Sequence, residues 1–239
     1  MTTVNPGEQH GQSAVEYALI LVLVGVVTIL GMTTFGVGLT EIYCGIIDTL
    51  GGEPTACTGS VAWTEDFDDL DDWNITDGKK WNNEDGQLCV GPGGEHRGFT
   101  GEDSWDDYTV NVSSANLDHG NGYGVYFRVS NEPDINSYVF QYDPSYRGGS
   151  YPNGAFLFRK VVDGNESSPI AANPAPADFE WYDVDHQISI EIRGDTFTAF
   201  IDGKKVVQGR DSQFATGRVG LRTWDGSLGC FDDLTVTQP

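Results

Sequence analysis

The sequence predicts an α+β chain: one long N-terminal apolar α-helix followed by an all-β antiparallel jelly-roll sandwich. Three observations carry this. The run from Tyr17 to Thr40 contains no charged residue and is long enough to form a single apolar helix. Beyond Leu50 the hydrophobic period changes from helical to alternating, with no further helix-period segment. Turn residues then recur at short intervals to the last strand, as in a sandwich or barrel.

The order of elements follows. Residues 1–11 read as a leader, 12–50 as the helix, 51–61 as a Gly, Pro and Thr linker, and 62–239 as the sandwich. About twenty apolar residues cross a bilayer core of roughly 30 Å. At about 1.5 Å per residue the whole helix would run to roughly 60 Å, so only part of it fits in lipid. Gly51-Gly52 supplies its C-cap. Gly25, Gly31, Gly36 and Gly38 inside it favour close approach of neighbouring helices.

Glu16 stands at the entrance of the apolar run, where a carboxylate needs a cationic partner. The first Lys or Arg is Lys79, so the nearest source of positive charge is a free amino terminus. Gly11, Gln12, Glu16 and Tyr17, opening an uninterrupted apolar run, resemble the Flp-type pilins of tight-adherence pili. The resemblance implies that a prepilin peptidase cuts between Gly11 and Gln12. It also implies that Glu16 meets the Gln12 amine of a neighbouring subunit, since each charge is costly alone in a low-dielectric bundle. The implied state is a homo-oligomeric extracellular filament, built by the pilus machinery from a precursor in the cytoplasmic membrane. Unlike such leaders, Met1 to His10 holds no Lys or Arg. A plain membrane anchor accounts for the apolar length but not for the Gly11, Glu16, Tyr17 register.

Thirty-six acidic residues against 13 basic ones give a net charge of -23, which argues against nucleic acid or anionic lipid as partner. Four cysteines, Cys44, Cys57, Cys89 and Cys230, contain no CxxC pair, so zinc is not expected. Outside the cell they suit two disulfides. Cys44 with Cys57, and Cys89 with Cys230, is one arrangement, although all three pairings stay open.

The clearest strands are at 88–90, 108–112, 124–129, 137–142, 155–162, 187–192, 196–201, 218–224 and 231–236. Asp163-Gly164 and Asp202-Gly203 fit hairpin turns. Asp66 to Trp73, Trp105-Asp-Asp-Tyr-Thr-Val, Gly122-Tyr-Gly-Val-Tyr-Phe-Arg128, Gly217-Arg-Val-Gly-Leu-Arg222 and Phe231-Asp-Asp-Leu resemble the concanavalin or laminin-G-like jelly rolls, in the branch attached to carbohydrate-active proteins. Such folds set the first and last strands side by side. Asp66, Asp68 and Asp69, with Asp71 and Asp72, could then converge with Asp232 and Asp233 on a structural Ca2+, which takes about six to eight oxygen ligands. The competing reading is a solvated acidic face.

A glycan-binding face is the second expectation. Alternation puts Tyr126 with Arg128, and Arg222 with Trp224, while Val125, Phe127 and Val129 face the core. Tyr138 and Tyr142 extend that surface, with Tyr146, Tyr151 and Arg159 beyond; Phe140, Phe156 and Phe158 fill the interior. Rings stack on sugars, and Arg or Asp bonds their hydroxyls. Catalysis is not expected: Glu180, Glu191 and Asp225 share no telling spacing, and His96, His119 and His186 read as isolated surface residues. The chain is therefore expected to be a structural pilin displaying an adhesive, glycan-binding sandwich. The alternatives are a membrane-anchored carbohydrate-binding or glycan-hydrolysing envelope protein that does not polymerise, or a minor pilin.

Overall fold

The computed structural model describes residues 60–239 except 77, 85 and 131. The leader and helix, with Gly11, Gln12, Glu16, Tyr17, Cys44 and Cys57, lie outside the described residues. Among the described residues no helix is long and apolar enough to cross a membrane.

Among the described residues sixteen strands run in chain order: β1 (Ser60–Glu65), β2 (Asn74–Ile75), β3 (Trp81–Glu84), β4 (Gln87–Val90), β5 (His96–Thr100), β6 (Tyr108–His119), β7 (Tyr123–Ser130), β8 (Asn136–Asp143), β9 (Ala155–Val162), β10 (Asn165–Glu166), β11 (Ala171–Pro174), β12 (His186–Arg193), β13 (Thr196–Ile201), β14 (Lys204–Arg210), β15 (Arg218–Thr223) and β16 (Leu228–Gln238). Sheet I has the order β14-β13-β12-β6-β16-β4-β3, with β1 also on β16. Sheet II has the order β10-β9-β8-β7-β15-β5-β2, with β11 also on β9. All strand pairs in both sheets are antiparallel. This is the predicted jelly-roll sandwich.

Alternation builds the core. On β12, Ile188, Ile190 and Ile192 point inward and are buried, while Gln187 and Glu191 are exposed. Tyr108, Val110 and Val112 of β6 join them from sheet I, and Val125, Phe127, Phe140 and Phe158 from sheet II. Of the pairings left open, Cys89–Cys230 forms, between directly opposed residues of β4 and β16.

Two features of the strands correct the predicted glycan face, one a break in alternation and the other a consequence of it. Arg128 occupies the left-handed region (φ 53°), where the β7 pairing slips against both β8 and β15. This bulge adds a residue, so Tyr126 and Val129, not Tyr126 and Arg128, share the outer face of sheet II. Arg128 turns away instead: its Nη2 donates to Asp106 O (2.9 Å) and its Nη1 to Phe214 O (3.0 Å). Tyr138 and Tyr142 belong to the interior, both completely buried in the core with Phe127 and Phe158. Their hydroxyls alone reach polar partners, Tyr138 on Asp211 Oδ1 (2.7 Å) and Tyr142 on Trp181 O (2.8 Å). Tyrosine fills a sandwich interior as well as phenylalanine when its ring tip finds such a partner.

Candidate functional site

The outer face of sheet II is divided in two. At one end Phe99, Tyr126, Val129, Ile135, Val139 and Val161 form a small buried apolar cluster. At the other end polar side chains of β8, β9 and β15 come together around Arg222.

Arg222 can lie along the sheet because Gly124 stands opposite it on β7. A Cβ at Gly124 would come within 2.9 Å of Arg222 Cγ and of Phe140 O. The guanidinium forks between two carboxylates, one on β10 and one on the loop before β5: Nη1 meets Glu166 Oε2 at 2.5 Å and Nη2 meets Glu95 Oε1 at 3.2 Å. It also sits 4.7 Å from the Trp224 ring and 5.7 Å from that of Tyr126. Burial works against the Arg222 charge, but the Tyr126 hydroxyl, Glu166 and Glu95 outweigh it and hold the group firmly protonated. Burial likewise raises Glu95, yet bonding to Arg97 and the charge of Arg222 hold its carboxyl below the usual range.

The network continues through Gln141, whose Nε2 donates to Glu166 Oε2 (3.0 Å) and whose Oε1 accepts from Arg159 Nε (2.8 Å). Arg159 lies over Tyr146 at 5.5 Å. Asp143, 7% exposed, accepts from Ser145 N (3.0 Å) and Ser145 Oγ (2.7 Å) at the same oxygen, Oδ1. Burial pushes its carboxyl above the ordinary range despite those bonds. Trp224 rests against Gly122, whose φ of 141° only glycine adopts readily and where a Cβ would meet Trp224 Cζ2 at 2.8 Å.

Two depressions flank the Glu95–Arg222–Glu166 bridge. One, about 320 Å3, is lined by Arg97, Tyr126 and Val161; the other, about 330 Å3, by Gln141, Asp143, Arg159, Trp224 and Asp225. Arg222 and Trp224 thus fall together as expected, with Arg159 and Tyr146 beside them, while Arg128, Tyr138 and Tyr142 do not. Glu95, Glu166, Gln141 and Asp143 escaped the sequence reading. For Gln141 and Asp143 a signal existed: they alternate with the buried Tyr138, Phe140 and Tyr142 and therefore face outward.

The predicted calcium ligands do not assemble. β1 and β16 are neighbours, yet no three His, Cys, Asp or Glu side chains among the described residues group as a metal cluster. Asp66 Oδ1 instead accepts from Asp68 N (3.1 Å) and Asp69 Oδ1 from Asp71 N (3.1 Å). On β16 Asp233, next to Asp232, stands at φ 43°, and its Oδ2 takes Ser113 Oγ at 3.4 Å. Asp66 and Asp69 are thus engaged in local turns and Asp233 in a cross-strand bond.

The histidine expectation also changes. His119 is exposed beside Asp118, but His96 and His186 are buried. His186 places Nδ1 2.8 Å from Asp202 Oδ2 and Nε2 3.0 Å from Glu180 O. It lines a groove of about 570 Å3 with Phe179, Pro174, Pro176 and Lys205. With both ring nitrogens engaged it ties a loop to a hairpin. Glu191 faces out from sheet I, whereas Asp225 lines the depression on sheet II, so these candidate carboxylates share no cleft.

The fold and face define a β-sandwich with an aromatic, ion-paired depression on the outer side of one sheet. The chain belongs to the 3-keto-alpha-glucoside-1,2-lyase-like domain family, which matches residues 62–237. Among solved structures it is similar to carbohydrate-binding module CBM66 from Bacillus subtilis, with 22% identity over 70% of this chain and 96% of that one, at a TM-score of 0.58. It is also similar to the exoplasmic/lumenal domain of VIP36 in its Ca2+/Man-bound form (13% identity, 70% and 83% of the two chains, TM-score 0.57). A third is a putative glycosyl hydrolase from Parabacteroides distasonis (16% identity, 73% and 97%, TM-score 0.51). No curated protein matches the chain.

Proposed function

We propose that the sandwich is a carbohydrate-binding module and that sugar binds in the Trp224 depression of sheet II. The observation that carries this is the juxtaposition of Trp224 with Arg159, Asp143 and Gln141 in one concave patch, with the Tyr146 ring against Arg159. Aromatic faces and a few fixed polar groups are what sugar sites require. Carbohydrate proteins recur among the similar folds, which supports the same reading. Binding rather than turnover is its role, although the family description names a lyase.

The test is a broad glycan panel against the purified full-length chain. Saturable binding is expected, lost in Trp224→Ala. No binding across the panel would overturn the proposal. Incubation with 3-keto-glucosides serves as a second arm, and release of the aglycone there would make the chain an enzyme.

The finer proposal concerns display. The Gly11, Glu16, Tyr17 register supports a chain cut after Gly11 and polymerised through residues 12–50, carrying the sandwich outside the cell as an adhesive coat. Filaments that assemble unchanged with Glu16→Ala would overturn it.

A further inference from the structure

The inference rests on the carbohydrate reading and concerns which sugars the Trp224 depression accepts. Its arginines suggest, at first sight, an acidic sugar. Their partners argue otherwise. Arg222 is already held by Glu95 and Glu166, and Arg159 Nε lies 3.1 Å from Glu166 Oε1. The lining holds two cations, Arg159 and Arg222, against four carboxylates, Glu95, Asp143, Glu166 and Asp225. An incoming carboxylate or sulfate would meet an excess of like charge in a chain whose net charge is already -23.

Besides the buried Arg222 Nε, which has no hydrogen-bond partner, an acceptor and a donor stay open on adjacent strands. Both Ser145 bonds end on Asp143 Oδ1, which leaves Oδ2 as an acceptor. Arg159 uses Nε on Gln141 and Nη1 on Ser167 O (3.0 Å), which leaves Nη2 as a donor. Two neighbouring hydroxyls satisfy that pair, one donating and one accepting. We infer that the depression takes an uncharged sugar by a pair of adjacent hydroxyls, set between Asp143 and Arg159 beside Trp224, and discriminates against uronates and other acidic sugars.

The experiment is calorimetric titration of the full-length chain at 20 and 200 mM NaCl. The neutral glycan that binds most tightly in the panel is compared with trigalacturonate and triglucuronate. The neutral sugar is expected to bind with an affinity that salt changes less than twofold, and each uronate at least tenfold more weakly. Asp143→Asn should weaken the neutral sugar at least tenfold without lowering the melting temperature. Glu191→Gln, on the opposite sheet, should leave binding as it was. Tighter uronate binding that weakens with salt would overturn the inference while sparing the carbohydrate reading. The salt comparison uses the unaltered chain and does not depend on any variant folding. Absence of binding by every glycan would instead remove the parent proposal.

Discussion

Tyr108 and Tyr123 are both completely buried, and replacing either by phenylalanine removes a single hydroxyl from an intact ring. Opposite results are expected. Tyr108 Oη accepts from Arg128 N (2.8 Å) and donates to Gly217 O (3.2 Å). It therefore holds the β7 bulge that sets the register of the outer face of sheet II. Tyr108→Phe leaves a buried amide and a buried carbonyl unpaired, each worth about 1–3 kcal/mol and not strictly additive, so a loss of about 2–4 kcal/mol is expected. Tyr123 Oη has no hydrogen-bond partner among the described residues. Its ring stacks on Tyr142 at 4.5 Å, a contact that phenylalanine keeps. Tyr123→Phe relieves an unpaired buried hydroxyl and should stabilise by about 1 kcal/mol. In a domain of this size each kcal/mol shifts the melting temperature by about 2–4 °C. Urea unfolding followed by tryptophan fluorescence measures both, because all six tryptophans lie between Trp63 and Trp224 and report the sandwich. Destabilisation by both variants would refute the reasoning, since it would mean that the Tyr123 hydroxyl has a partner.

The other predictions concern the site and the disulfide. Arg222→Ala should abolish glycan binding but destabilise by only about 1–2 kcal/mol, less than a buried pair, because Glu95 and Glu166 are 34% and 31% exposed and can turn to water. A loss below the error of the urea midpoint would show that the bridge does not order the loops. Asp143 titrates above its ordinary value, so in that window the folded chain binds more protons than the unfolded one and the stability it contributes falls as pH rises. The stability of the unaltered chain relative to Asp143→Asn should therefore decline from about pH 4 upward, and a rising difference would reverse the assigned cause. Reducing Cys89–Cys230, which closes a loop of sequence separation 141, should cost about 3–5 kcal/mol by chain entropy. An unchanged urea midpoint in dithiothreitol would show that the reduced, unfolded chain is already compact.

Much of the sandwich was legible because half-buried strands announce themselves by alternation. Ile188, Ile190 and Ile192 needed nothing but their spacing, and Asp163 and Asp202 needed only their following glycines to mark turns with positive φ. β14 was missed because Lys204-Lys205 and Gln208-Gly209-Arg210 leave only two apolar residues in an edge strand. β5 was missed because it is buried on both faces, where alternation disappears. The predicted glycan face failed in two places: the Arg128 bulge inverts the strand beyond it, and nothing in Tyr126-Phe-Arg-Val announces an inserted residue, whereas Tyr138 and Tyr142 share the inward face of Phe140, which their spacing already implied. The ion pairs failed for another reason. Glu95 and Glu166 are 127 and 56 positions from Arg222 along the chain but meet it in space, and local patterns carry no information about such meetings.

The position of β16 governs how such a domain can be made. Leu228–Gln238 threads the interior of sheet I, with β6 on one side and β4 followed by β1 on the other. Synthesis delivers this strand after the other fifteen, so β6 faces an empty lane until residue 228 and beyond emerge. Before that moment no native sheet I exists, only the fragments β14-β13-β12-β6 and β4-β3 and an unpaired β1, whose unsatisfied edges invite pairing with other chains. A chain that stops before Leu228 lacks the seam of the sheet and becomes a substrate for proteases instead of a slightly weaker binder.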